Sequence, residues 1–256
     1  MKWPQALVFD VDGTLADTER DGHRVAFNRA FADAGLDWIW PVEVYGELLS
    51  VTGGKERIRY YLDRFNTGFE RPDDLDGFIA GLHRTKTEHY MALMAEGAIP
   101  LRPGVLRLLI EGRDAGIRLA IATTTTPENV SALVRSTLPP GAMDWFEVVG
   151  AGDIVPEKKP APDIYRWVLD QMHLAPDQVV AFEDSVHGLS AARGAGIECV
   201  VVTVNDYTRA QDFAGATVVL DTLGDEDEPA RAMAGRPPAN GMVDLDYLRT
   251  MELTHA

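Results

Sequence analysis

The sequence predicts an α/β protein: a doubly wound, mostly parallel, Rossmann-like sheet with an α-helical domain inserted after the first strand. The second half of the 256-residue chain alternates strand-like apolar runs with helix-like segments. This alternation is typical of parallel strands joined by right-handed crossovers. One more strand-like run lies alone near the N-terminus. Roughly eighty helix-like residues separate it from the next run, far more than a crossover requires, so we expect them to form a domain of their own.

The predicted strands are short apolar runs, rich in β-branched residues and bounded by turn-forming residues. The first spans residues 6–9 and ends before the glycine turn at Gly13. The others span residues 117–122, 146–149, 178–182, 198–204 and 217–220.

The predicted helices between these strands have recognisable ends. Gly116 and Gly196 directly follow two of them, which is where glycine terminates helices. Pro127 begins another, at the position where its missing N–H is not needed. These helices span residues 103–115, 127–138, 162–172 and 185–195, and the inserted block contributes others, such as residues 24–34.

These elements divide the chain into three segments. Residues 1–16 and 95–224 form the sheet domain, and residues 17–94 form the helical insert. Residues 225–256 form an acidic, proline- and glycine-rich C-terminal tail. Because the composition between Asp225 and Gly241 disfavours a packed core, we expect that part of the tail to be mobile.

Charge and cysteine content restrict the partners and the compartment. A formal net charge of −16 argues against nucleic acid and anionic membranes as partners. The single cysteine, Cys199, permits no intramolecular disulfide, which suits a reducing compartment. The first ten residues lack the apolar stretch of a signal peptide, and no run has membrane-spanning length. We therefore expect a cytoplasmic protein, and a monomer because no exposed apolar helix stands out.

Polar side chains follow four of the predicted strands. Open parallel sheets bind ligands beyond the carboxyl ends of their strands. Each such residue alone has a structural explanation, as a turn former or a helix cap, but their joint occurrence predicts one site. They are Asp10, Asp12, Thr123, Lys159, Glu183 and Asp184.

The carboxylates predict a magnesium site. Asp10 and Asp12 are two residues apart at a strand end, so their side chains are expected to point the same way. They should repel each other unless a cation or a proton lies between them. With Asp184 they supply the hard oxygen ligands that Mg²⁺ prefers, and Glu183 lies among these ligands or directly behind them.

The same residues suit phosphoryl transfer. A carboxylate can attack phosphorus, and Asp10 is the predicted nucleophile. Asp12 would protonate the leaving oxygen and then deprotonate the attacking water. Thr123 and the backbone near Thr124 would hold the transferring oxygens, and Lys159 would supply positive charge.

Four sequence segments resemble, in order, the motifs of haloacid dehalogenase superfamily phosphatases: DVDGT at 10–14, LAIAT at 119–123, KKPAPD at 158–163 and EDS at 183–185. In the third, Lys159 matches better than Lys158, since it directly precedes the proline. The resemblance runs from residue 6 to about residue 222. It implies a Rossmann-like catalytic core and a Mg²⁺-dependent phosphatase that forms an aspartyl-phosphate. Dehalogenases of the superfamily do not use Mg²⁺ and lack the second Asp, so Asp12 and Asp184 disfavour that activity.

The helical insert is similar to the small α-helical cap of the subgroup that contains phosphoglycolate phosphatases and β-phosphoglucomutases. In that subgroup the cap selects the substrate. The segment TGGKER at 52–57 opens a predicted helix behind two glycines, a favourable place for an anion. The segment HRTK at 83–86 lies on a later helix. The candidate substrate-binding residues of the cap are His23, Lys55, Arg57 and Lys86.

Longer segments narrow the resemblance further. TGGKERI and HRTKTE in the insert, and ATTTTPENV and AGDIVPEKKPAPDIY in the core, are similar to CbbY-type phosphatases encoded near Rubisco genes. That resemblance implies a small phosphorylated sugar as substrate, namely xylulose 1,5-bisphosphate, an inhibitor of the Calvin-cycle enzyme Rubisco.

Three other functions remain open at this stage. A β-phosphoglucomutase-like isomerase would use the same four motifs without releasing phosphate. A phosphoglycolate phosphatase would not need the paired cations of the cap. A sugar-phosphate sensor without catalytic activity would need neither a nucleophile nor an acid/base, so Asp10 and Asp12 argue against it.

Overall fold

The computed structural model describes residues 3–51 and 53–252. Thr52, the first residue of the predicted TGGKER segment, and the last four residues of the tail lie outside this part. The chain divides into two compact units. The sheet unit lies within residues 1–17 and 100–256, and the helical unit comprises residues 18–99.

The described elements are seven strands, nine α-helices and some shorter helical turns. The strands are β1 (Ala6–Phe9), β2 (Arg118–Ala122), β3 (Phe146–Gly150), β4 (Val179–Glu183), β5 (Val200–Thr203), β6 (Val218–Leu220) and β7 (Ala232–Ala234). The helices are α1 (Arg24–Asp33), α2 (Val42–Leu48), α3 (Gly54–Arg64), α4 (Leu75–Ala95), α5 (Val105–Asp114), α6 (Pro127–Thr137), α7 (Asp163–Met172), α8 (Val186–Gly194) and α9 (Leu245–Glu252).

The sheet has the order β3-β2-β1-β4-β5-β6-β7, and every described pairing is parallel except that of β7. The predicted fold class, a mostly parallel and doubly wound sheet, is confirmed. The chain builds outward from β1 to β3, then returns and builds outward from β4. The strand order therefore reverses between β1 and β4, the position where such sheets bind ligands.

Helices cover both faces of this sheet. Alternate strand residues point to opposite faces, and Ala6 and Val8 join one cluster with residues of α7 and α8. On the other face, Gly112 of α5 lies close to β1 and β2. A Cβ at that glycine would lie 3.4 Å from Leu7 and 3.3 Å from Leu119.

The helical unit is built around an aromatic core. Phe27 and Phe31 of α1 lie 4.7 and 4.8 Å, centroid to centroid, from the Trp40 ring. Asn28 forms two hydrogen bonds with the backbone of the same tryptophan. Its side chain accepts from the Trp40 amide at 2.8 Å and donates to the Trp40 carbonyl at 3.1 Å. Among the helices of the described residues, none combines the length and apolar character needed to cross a bilayer.

The predicted mobile tail is wrong. Residues 225–252 pack onto the sheet unit, with β7 at its edge and Val243 and Leu248 fully buried. Its average composition hides an apolar stripe at helical spacing, residues 245, 248 and 251. The acidic run also has a structural partner, because the Asp225 carboxylate accepts from the Gly104 amide at 2.7 Å, at the start of α5.

We expect L248A to lower the free energy of unfolding by about 2–4 kcal/mol, the range for a fully buried leucine whose removal leaves a cavity. The control is D246A on the same helix, where the side chain is 90% exposed. That change should cost under about 0.5 kcal/mol. Urea unfolding of the full chain measures both values, and equal values for the two variants would contradict the packed position of α9.

Candidate active site

Three carboxylates meet at the carboxyl edge of the sheet, where the strand order reverses. Asp10 directly follows β1, and its amide donates to the Phe182 carbonyl of β4 at 3.0 Å. Glu183 ends β4 and Asp184 follows it. All three side chains are buried, and an oxygen from each lies within 4.8 Å of the others.

Lys159 reaches this group from the segment after β3. Its Nζ lies 2.7 Å from Asp10 Oδ1 and 2.6 Å from Glu183 Oε1. The neighbouring Lys158 instead pairs with Asp153 at the surface. The structure thus brings Lys159, and not Lys158, together with the predicted nucleophile.

Tyr165 supports the same contact from α7. Its hydroxyl donates to Glu183 Oε1 at 2.6 Å, so this oxygen accepts from both the phenol and the Lys159 ammonium. Burial opposes the charged form of Lys159, but the carboxylates of Asp10 and Glu183 outweigh it and raise the lysine pKa. Lys159 is therefore a permanent cation in the site.

The surroundings of two of these carboxylates disfavour their charged form. Burial, together with the charges of Asp10 and Glu183, raises the pKa of Asp184 well above its ordinary value. Burial likewise raises the pKa of Glu183, against the effect of Lys159. One Glu183 oxygen, Oε2, is buried without a hydrogen-bond partner in the described part of the chain.

These observations fit a divalent cation. The donors are hard carboxylate oxygens, the ligand type that Mg²⁺ prefers. A bound cation would offset the repulsion that raises the carboxylate pKa values. Asp10, Glu183 and Asp184 are the residues that could hold it.

This group contains three of the four predicted residues, Asp10, Glu183 and Asp184, but not the side chain of Asp12. The strand ends at Phe9, so the two-residue alternation does not extend to Asp12. The Val11 carbonyl accepts from the Leu15 amide at 2.9 Å, and Gly13 has a positive φ of 84°. This tight turn takes Asp12 out of the strand geometry and leaves it half-buried.

The two threonines after β2 differ in environment. Thr123 is buried, and its amide donates to the Gly150 carbonyl at 2.9 Å. Its hydroxyl oxygen accepts from the Thr125 amide at 3.3 Å. Thr124 is exposed. Since β2 pairs with β1, Thr123 lies at the strand end next to that of Asp10.

Sequence reasoning missed Asn205, which orients one of the carboxylates. Its Nδ2 donates to Asp184 Oδ2 at 2.7 Å. Gly13 lies against both groups: a Cβ there would be 2.2 Å from Asp184 Oδ2 and 2.6 Å from Asn205 Nδ2. Asn205 directly follows the predicted strand 198–204, so the rule that polar residues after strands form the site applies to it as well.

The helical unit contains a separate buried polar cluster around Arg57. Its Nη1 donates to the Tyr45 hydroxyl at 2.6 Å, and that hydroxyl donates to Glu19 Oε2 at 2.6 Å. Arg57 is 8% exposed. Glu19 and Tyr45 were not among the predicted residues. Glu19 precedes His23 by four residues, the spacing of neighbours on a helix face. This spacing could have predicted that Glu19 lies beside His23.

Lys86 and His23 form the second part of this cluster. Lys86 Nζ lies 2.8 Å from His23 Nδ1. The same nitrogen lies 5.2 Å from the centroid of the Phe27 ring and 5.0 Å from that of the Tyr90 ring. Burial, reinforced by the charges of Lys86 and Arg57, lowers the pKa of His23 to about 4. His23 is therefore a neutral acceptor for the lysine.

Lys55 behaves differently from Arg57, with which it was predicted to act. The helix α3 begins at Gly54, the second of the two glycines, and Gly53 is its N-cap. However, Lys55 is exposed, whereas Arg57 points into the buried cluster with Lys86.

Comparison with known proteins identifies similar chains. The family of haloacid dehalogenase-like hydrolases matches residues 4–196. The chain is 52% identical over 221 residues to CbbY of Cereibacter sphaeroides, covering 86% of this chain and 93% of that protein. It is 47% identical over 250 residues to CbbY of Cupriavidus necator, covering 96% and 95%.

A solved structure is similar over the same range. The crystal structure of the D10N mutant of CbbY from Rhodobacter sphaeroides, in complex with xylulose 1,5-bisphosphate, matches with 50% identity and a TM-score of 0.71. The match covers 87% of this chain and 96% of that one.

The His23 environment predicts a dependence of stability on pH. The folded-state pKa of about 4 lies below the ordinary value of 6.5, so the unfolded chain binds a proton that the folded chain does not. The contribution of His23 to stability is fully present above the unfolded-state pKa of 6.5, and it is lost as pH falls toward the folded-state pKa of about 4. H23Q keeps an acceptor for Lys86 but does not titrate. From about pH 7.5 to about pH 5, the wild type should lose about 1–2 kcal/mol relative to H23Q in urea unfolding. A constant difference would contradict a neutral His23.

Proposed function

Since this chain belongs to the haloacid dehalogenase-like hydrolases, and within them to the CbbY group, we propose that it hydrolyses a sugar bisphosphate with the help of Mg²⁺. The proposed substrate is xylulose 1,5-bisphosphate. One observation carries the choice: a CbbY variant that is 50% identical over most of both chains forms a complex with that sugar. The enzyme is a phosphatase of this family, and the substrate, the metal and the intermediate are what we propose.

Asp10 is the proposed nucleophile. It is buried beside Lys159, whose ammonium donates to the carboxylate and would also attract the phosphoryl group. An Asp10 oxygen forms a bond to phosphorus while the bond from phosphorus to the sugar oxygen breaks. The product of this first step is an aspartyl-phosphate on Asp10 and a sugar with a free hydroxyl group.

Asp12 is the proposed general acid and base. It lies two residues after the nucleophile, in the turn fixed by Gly13, and it is half-buried and so accessible to solvent. In the first step it gives its proton to the leaving sugar oxygen. In the second it takes a proton from the water that attacks phosphorus, which releases phosphate and restores Asp10.

The remaining groups of the sheet unit hold the reactants in place. Thr123 and the backbone near Thr124 are proposed to bind phosphoryl oxygens. Asp10, Glu183 and Asp184 are proposed to hold Mg²⁺. When bound, Mg²⁺ neutralises phosphoryl charge and orients the phosphate for in-line attack.

The helical unit is proposed to bind the second phosphate. Ionised Glu19 contributes one negative charge to its buried cluster, while Arg57 and Lys86 contribute two positive charges. This excess of positive charge in a desolvated setting suits an anionic group on the substrate. His23 and the exposed Lys55 remain proposed contacts.

Phosphate release from a substrate panel tests the proposed activity. The panel contains xylulose 1,5-bisphosphate, ribulose 1,5-bisphosphate, phosphoglycolate and β-glucose 1-phosphate, each with and without Mg²⁺. We expect the highest kcat/KM for the xylulose compound, with release abolished by EDTA. Preference for phosphoglycolate would overturn the bisphosphate assignment. Isomerisation without phosphate release would identify a mutase, and tight binding without turnover would identify a sensor.

We expect D10N to lower kcat at least about a thousandfold, because the amide cannot act as the nucleophile. The substituted side chain keeps its size and still offers an oxygen to Lys159, so substrate affinity should persist. The control is D153N, where the carboxylate is 89% exposed and pairs with Lys158 at the surface. Calorimetric titration of substrate and steady-state kinetics separate the two effects. Undiminished turnover in D10N would exclude the covalent mechanism.

R57M and K86M should each raise KM for the bisphosphate at least about tenfold, the loss expected for a desolvated charge-assisted contact. A sugar monophosphate lacks the second anionic group, so its KM should change much less. R59M is the control, because Arg59 lies on the same helix as Arg57 and pairs with exposed Asp76. Equal effects on both classes of substrate would contradict a second-phosphate site.

A further inference from the structure

Arg102 is a buried arginine that the proposed reaction does not use. It lies in the short segment before α5, and its side chain is only 6% exposed. Burying a guanidinium is costly unless its N–H groups are paired, so its partners show what it does.

Those partners are main-chain carbonyls at the carboxyl edge of the sheet. One terminal nitrogen, Nη1, donates to Gly13 and, at 3.0 Å, to Thr203. The other, Nη2, donates to Val204 at 2.6 Å and to Asp221 at 2.7 Å. The carbonyls lie at the end of β5 and in the segments that follow β1, β5 and β6. Only the planar fork of an arginine offers enough donors to join them.

Two of the joined segments touch the carboxylate cluster. Gly13 lies so close to Asp184 that even a methyl group in place of its hydrogen would overlap the carboxylate. Val204 directly precedes Asn205, whose side chain donates to the same carboxylate at 2.7 Å. Displacement of either segment would change the position of Asp184.

An ion pair holds the arginine itself. Arg102 Nε lies 3.5 Å from Asp17 Oδ1, and the Arg102 amide donates to the Leu15 carbonyl at 2.9 Å. Both partners lie on the segment that follows the proposed acid/base, so Arg102 is tied to that segment through its main chain and its side chain.

We propose that Arg102 is a positioning residue that sets the cation affinity of the Asp10–Glu183–Asp184 cluster. It acts by holding the Gly13 and Val204 carbonyls, which in turn confine Asp184 and Asn205. Groups that orient metal ligands typically account for about 10–100-fold in metal affinity. The inference rests on the proposed function only through the cation site.

Arg107 provides a matched control. It also donates to several carbonyls, those of Leu223, Gly224 and Val243, at 3.2, 2.9 and 3.0 Å. These partners connect α5 to the C-terminal segment and include none of the residues beside the carboxylates. An arginine with a purely structural role should therefore behave like Arg107.

Binding of Mn²⁺ alone to the full chain tests the proposal, since Mn²⁺ takes the same oxygen ligands as Mg²⁺. Electron paramagnetic resonance measures the free ion, without substrate or turnover. We expect R102M to raise the Mn²⁺ Kd at least about tenfold. R107M should leave it within about twofold, although both variants lose thermal stability. An unchanged Kd in folded R102M, or an equal rise in R107M, would overturn the proposal.

Two further variants keep the outcomes distinct. R102K retains the charge but cannot reach all four carbonyls, and it decides the question if R102M does not fold. Its Kd should rise at least about threefold, and an unchanged value overturns the proposal. D184N reports on the cation site itself. If wild type and D184N bind Mn²⁺ equally, the metal site of the proposed function fails together with this inference. If only D184N loses binding, the inference alone fails.

Discussion

Buried charge at the carboxyl edge of the sheet is out of balance, and the rest of the site depends on this fact. Asp10, Glu183 and Asp184 hold oxygens within 4.8 Å of one another, while Lys159 bonds to two of the three. Three carboxylates share one ammonium in a place that water screens poorly, so burial and mutual repulsion raise the pKa values of Glu183 and Asp184. A divalent cation bound there would relieve this repulsion and would also supply positive charge for a phosphoryl group. Metal binding and phosphate binding would then both follow from one electrostatic arrangement.

The fold creates this arrangement because it reverses strand order between β1 and β4. Asp10 follows β1 and Glu183 ends β4, the strand paired with it, and the hydrogen bond from the Asp10 amide to the Phe182 carbonyl continues the ladder up to the site. The ladder therefore keeps these two carboxylates adjacent despite their mutual repulsion. Asn205 and Arg102 brace the adjoining segments from outside. The helical unit has its own buried cluster, in which the positive charges of Arg57 and Lys86 exceed the negative charge of Glu19.

Much of this was predictable from sequence, for a physical reason: in a parallel sheet, residues that follow different strands share one edge. That rule brought Asp10, Lys159 and Asp184 into one predicted site before any coordinates. The alternation of side chains along a strand does not extend to Asp12, because the four-residue strand ends at Phe9 and Asp12 lies in the turn that follows, so the role of Asp12 stays a prediction. The expectation of a mobile tail failed for a different reason, because its proline, glycine and acidic residues did not reveal that the segment packs onto the sheet unit. Arg102 has no sequence signal, since its role comes from contacts with residues about 90 to 120 positions away.

The stereochemical course at phosphorus tests the central claim most directly, namely that Asp10 forms a covalent intermediate. The measurement is hydrolysis of a chiral, isotopically labelled phosphorothioate analogue of the preferred substrate in labelled water, with the configuration of the released thiophosphate as the readout. Two successive in-line displacements, first by Asp10 and then by water, predict overall retention of configuration. Inversion would mean that water attacks the substrate directly, and it would contradict the role of the buried carboxylate on which this account depends.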